Sequence, residues 1–131
     1  MEDIAEAAGM SRPALYLHFR NKAEIFRAGS EAVHTSALDA ATKAIGQDGA
    51  LEDRLAGFLI AYKGAAWRII VETPHGREMI DLSSSLAEDE THAIMEKAIA
   101  IMTDAIAREA APDWDAEALA RLLSASAWSV V

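Results

Sequence analysis

The sequence predicts an all-α protein, a small helix-turn-helix head joined to a longer helical bundle. Three observations carry that expectation. Apolar residues make up 52% of the 131-residue chain and charged residues 25%, the balance of a globular rather than a disordered protein. Alanine dominates the apolar share, and the helix breakers are few, with 7 Gly and 3 Pro; such a composition favours helix almost everywhere. Apolar positions recur three and four residues apart through each long segment, and no stretch alternates as a strand would.

Taken in order, Met1 to Ala8 reads as a short helix with Ile4, Ala7 and Ala8 on one face, stopped by Gly9, where positive φ is cheap. Ser11 caps a second helix. Pro13 stands in its first turn, where a missing N–H costs nothing, and Leu15, Tyr16 and Phe19 follow at helical spacing. Asn21 caps a third, with Glu24 three residues on as in a capping box and Ile25 and Phe26 behind it. Val33, Leu38 and Ala41 carry that helix to about Ile45, and Gly46-Gln47-Asp48-Gly49 is the clearest linker.

Leu51, Leu55, Phe58, Leu59, Tyr62, Ala66, Ile69 and Ile70 form an apolar stripe that must end before Pro74. His75 to Leu82 reads as a short helix. Asp89 or Thr91 opens the next, whose stripe is Ile94, Ala98, Ile101, Met102, Ala105 and Ile106, up to about Ala110. Pro112 breaks it. Asp113 is the expected cap of a last helix with Leu119, Leu122, Leu123 and Trp128 on its apolar side.

Several function classes drop out at this level. Cysteine is absent, so neither a disulfide nor a thiolate metal site can form, which suits a reducing cytoplasm. No apolar run is long enough to span a membrane, and no secretory leader pattern opens the chain. The net charge of −9 argues against indiscriminate nucleic-acid binding, but its distribution is uneven. Between Ser11 and Arg27 stand Arg12, Arg20, Lys22 and Arg27 against the single acid Glu24. A small cationic patch on an acidic body suits a local DNA contact and discourages any other.

Two short helices across a glycine turn, the second opening with a positive residue and a third helix starting directly after it, make a helix-turn-helix arrangement. A helix fits the major groove, its first residues reach base edges, and basic or hydroxyl side chains nearby hold phosphates. Ile4, Ala8, Leu15 and Phe19 are the expected buried struts.

The stretch from Ile4 to Phe26, IAEAAGMSRPALYLHFRNKAEIF, resembles the DNA-binding region of the TetR family of transcriptional regulators. Ile4-Ala5, Ala8-Gly9, Ser11, Leu15-Tyr16, His18-Phe19 and Lys22 carry the resemblance. It implies a DNA-binding region over 1–28 and a regulatory and dimerisation domain over 29–131. It also implies a cytoplasmic homodimer that binds a palindromic double-stranded operator, acts as a repressor, and releases DNA when a small-molecule effector enters the helical body.

Carried over by position, Ser11, Arg12, Pro13 and Ala14 open the recognition helix and face bases. Tyr16 and His18 lie near the backbone, and Lys22 is the phosphate clamp, helped by the amides of its own helix. Ala14 stands where many relatives have a hydroxyl, so a base contact there would be apolar. Pro13 replaces a commoner small residue and stiffens the helix start. In the family a further helix precedes this unit and another closes the bundle; the sequence is expected to lack that first helix and the end of the C-terminal domain.

For an effector pocket the candidates are Tyr62, Trp67, Arg68, His75, Met79, His92, Met95 and Met102, since methionine-rich helices open adaptable apolar cavities. An enzyme is not expected, nor a cofactor or bound metal. Asp89, His92 and Glu96 share a helix face, but they make one imperfect unit where a di-iron bundle needs repeated ones. No phosphate loop, dinucleotide fingerprint or nucleophile elbow is present. The competing expectation is a truncated helical interaction protein that does not bind DNA and pairs with a related regulator.

Overall fold

In a computed structural model the described residues are 1–72, 88–109 and 113–126. Among them, six helices and no strand are found: α1 (Glu2–Ala7), α2 (Arg12–His18), α3 (Lys22–Ile45), α4 (Leu51–Glu72), α5 (Glu88–Glu109) and α6 (Ala116–Ser126). The all-α expectation holds. The short helix expected over His75 to Leu82 lies outside the described residues, as does Trp128.

Several starts and stops have a local chemical cause. At the end of α1 the Gly9 N–H donates to the Glu6 carbonyl and the Met10 N–H to the Ala5 carbonyl, at 3.0 and 2.9 Å. That is the Schellman closure, and it needs Gly9 at φ +64°. Ser11 Oγ accepts from the Ala14 N–H, and Pro13 sits in the first turn of α2. Asn21 Oδ1 accepts from the Glu24 N–H at 3.0 Å. The Glu24 carboxylate reaches back to the Arg20 N–H at 2.7 Å, one residue further than in the usual capping box.

The linker delivers α4 back along α3 as a helical hairpin, with φ +134° at Gly49. Arg54 locks the corner: its Nε donates to the Ile45 carbonyl at 2.8 Å, and its guanidinium pairs with Glu109 at the end of α5. The core lies where α3, α4, α5 and α6 meet, around Ala41, Ile45, Leu55, Phe58, Ala98, Ile99, Met102, Ala105, Ile106 and Ala120. Phe58, Met102 and Ile106 are its largest fully enclosed side chains. Arg121 clasps α6 to α5 with both guanidinium NH groups on Glu96 at 3.0 and 2.9 Å. Its hydrogen bonds hold the Glu96 carboxyl below the usual range.

Four details differ from the sequence reading. Ala8 is exposed and Ala5 is buried instead; α1 packs chiefly against α2 among the described residues, so its covered strip is narrow and runs through Ala5. The cap of α6 is Asp115, whose Oδ1 accepts from the Ala118 N–H at 3.0 Å, rather than Asp113. Leu122 is 67% exposed, because the side of α6 that meets the core is formed by Ala116, Leu119, Ala120, Leu123 and Ser124. Ile99, outside the expected stripe of α5, is buried.

Candidate nucleic-acid interface

The head is small, so few residues fix its geometry. Leu15 and Ala5 are buried, Ile4 and Phe19 half-buried, and this strip holds α1 against α2. Everything opposite on α2 faces outward. Ser11, Arg12, Pro13, Tyr16 and His18 are exposed, while Ala14 is half-buried beneath the Ser11 cap. The Arg12 guanidinium lies over the Tyr16 ring, 5.7 Å from its centroid, a cation–π arrangement that orders a long side chain before it meets a partner. Its pairing with Glu2 spans 3.9 Å between two exposed groups and is worth little. The His18 ring is tilted against Phe19 with centroids 6.5 Å apart.

Lys22 is exposed at the first position of α3. The first amides of a long helix carry the positive end of its dipole, so a phosphate placed there meets both the ammonium and the backbone N–H groups. From Lys22 the helix runs on to Ile45, straight through Ala28 and Gly29 and into the core at Ala37 and Ala41. Residues 1–28 match the family model described as bacterial regulatory proteins, tetR family. This segment is a TetR-type helix-turn-helix. No curated protein and no solved structure matches the chain.

The TetR-type head therefore contains each of the seven residues expected at DNA, and six of them are on its surface. One surface residue escaped the sequence reading. Leu17 is 85% exposed on α2, and the signal for it was its place between Tyr16 and His18, two residues from the buried Leu15.

Behind the head, three of the residues nominated for an effector pocket meet at the core. Met102 is enclosed in the core, and Tyr62 and Met95 pack against it. The Tyr62 ring meets Phe58 at 6.2 Å, and burial raises the pKa of its phenol. Trp67, Arg68 and His92 are exposed, while His75 and Met79 lie outside the described residues. A shallow, open depression runs along the exposed face of α3, beside Ala28, Glu31, Ala32, Thr35, Ser36 and Asp39.

Asp89 and His92 are exposed, and Glu96 is occupied by Arg121. Among the described residues no group of three His, Asp or Glu side chains is placed to hold a metal. Among them, too, no helix is long and apolar enough to cross a membrane.

Proposed function

We propose that the chain is a cytoplasmic transcriptional repressor that binds a palindromic operator as a homodimer and responds to a small-molecule effector. The observation that carries the reading is the exposed α2 face of Arg12, Pro13 and Tyr16, with Lys22 at the head of α3, inside a segment that matches the TetR family. Arg12 reaches a base edge, its fork suited to a guanine. Tyr16 and His18 flank the backbone and Lys22 grips a phosphate. The head occupies 1–28 and the regulatory body 29–131, with the boundary inside α3.

A homodimer needs a second apolar face on the body, and α6 has one. Ala118, Leu122 and Ala125 are exposed along one side, with Trp114 just ahead of them, also exposed; their spacing of three and four residues makes a single stripe. An effector entering beside the inner helices, where Tyr62 and Met95 are half-buried, would act on the head through α3.

The test is a fluorescence-anisotropy titration of the 131-residue chain against DNA flanking its own gene, with scrambled duplex at the same salt. Tight, selective binding is expected. A folded chain without selectivity that pairs with a related regulator would establish the interaction-protein alternative instead. Lys22→Ala is expected to weaken operator and scrambled duplex alike and to lower the salt slope by roughly one phosphate contact; unequal losses on the two DNAs would contradict the phosphate role. Arg12→Ala is expected to relax the preference at one base pair by about 1–3 kcal/mol. Unchanged discrimination across operator variants would sink that assignment.

A further inference from the structure

Among the described residues nothing covers Leu17, which stands 85% exposed. It follows Leu15 by two positions, roughly 200° around a helix of 3.6 residues per turn. That turn takes it from a buried site at 3% exposure to an open one at 85%. It therefore points away from the strip that holds α1 to α2. It is also one turn beyond Pro13, about 40° from it around the helix and on the same outward face. A large aliphatic side chain standing in water on the face of a recognition helix is matched by one feature of the major groove. The C5-methyl of thymine is the apolar group the base pairs display there.

We propose that Leu17 reads a thymine methyl and makes one A·T pair in each half-site a requirement. This rests on the operator-binding reading above. Four residues, about one turn, separate Pro13 from Leu17, roughly 6 Å along the helix axis, or just under two base-pair rises of 3.4 Å. The thymine is placed that far from the pair that Pro13 faces, so the two side chains define a short apolar reading frame one turn long.

The test replaces each operator thymine in turn by deoxyuridine, which removes the methyl and leaves the pairing edge intact. Binding of wild-type chain and Leu17→Ala is measured by anisotropy at fixed salt. Wild type is expected to lose about fourfold at one thymine per half-site, the equivalent of about 0.8 kcal/mol for one buried carbon. Leu17→Ala is expected to bind the operator about tenfold more weakly, with scrambled duplex unchanged, and to be indifferent to deoxyuridine at that same position. Since Leu17 is exposed, the variant should keep its fold, which circular dichroism checks.

If deoxyuridine has no effect anywhere, or costs Leu17→Ala as much as wild type, the methyl belongs to another side chain or is not read, and the proposal falls while operator binding stands. A Leu17→Ala chain that changes its oligomeric state with its deoxyuridine profile intact would show that Leu17 packs on protein. Absence of selective binding by wild type removes the operator reading and this one with it.

Discussion

Phe58→Ala is expected to destabilise the protein by about 3–5 kcal/mol, a large fraction of the total stability of a domain this size. Phe58 is fully enclosed at the meeting of α3, α4 and α5, with Ala41, Ile45, Met102 and Ile106 in the same cluster. Removing the ring forfeits its burial and leaves a void that helices on three sides cannot all close. Ile60→Ala is the control: two residues along α4 and 73% exposed, it should fall within about 0.5 kcal/mol of wild type. Urea unfolding of the two variants settles the register of α4. Equal midpoints would mean that the stripe beginning at Leu51 does not face the core.

Gly29→Pro is expected to uncouple the head from the body. Gly29 is the eighth residue of α3, and there is open space where a side chain would start. Alanine there should therefore be accepted and, by removing a helix glycine, stabilise the chain by about 0.5–1 kcal/mol. Proline deletes the bond to the Ile25 carbonyl and collides with it, at about 3 kcal/mol or more. The buried part of α3 from Ala37 onward is more than a turn away, so the body should still unfold cooperatively, with its helical signal largely intact. Operator affinity should collapse in Gly29→Pro and persist in Gly29→Ala. If both variants bind alike, α3 does not transmit the position of the head.

The long helices were readable because their signals agreed. Asn21 and Glu24 set the start of α3, the Gly46–Gly49 linker set its end, and the stripe through Leu55 and Phe58 set the inner face of α4. α6 was harder because it is apolar on two sides. Leu122 and Leu123 are adjacent in sequence, and periodicity cannot say which one meets the core when alanines occupy both faces. Asp113 and Asp115 are equally good caps by chemistry, and the choice between them follows from the register that buries Ala120. In the head, the structure leaves six of the seven residues nominated through the TetR resemblance on the surface. The exposure of Leu17 was less legible, because an apolar residue two positions from a buried leucine shows its direction only once the register of α2 is known.

The Arg54 corner makes α3 a lever. Arg54 binds the last carbonyl of α3 and the end of α5 at once, and the burial of Ala37 and Ala41 holds the same stretch of α3 in the core, so the fulcrum lies near Ala37. The arm beyond it, from Lys22 to Ala37, extends roughly 22 Å at 1.5 Å per residue. A tilt of about 5° at that fulcrum carries Lys22 through about 2 Å, more than half the rise of a base pair. In the homodimer proposed above, two such arms moving apart would shift the spacing of the heads by nearly twice that, against half-sites set one helical turn apart, about 34 Å. A rearrangement of side chains too slight to disturb the core would thus be enough to put one recognition helix out of step with its groove.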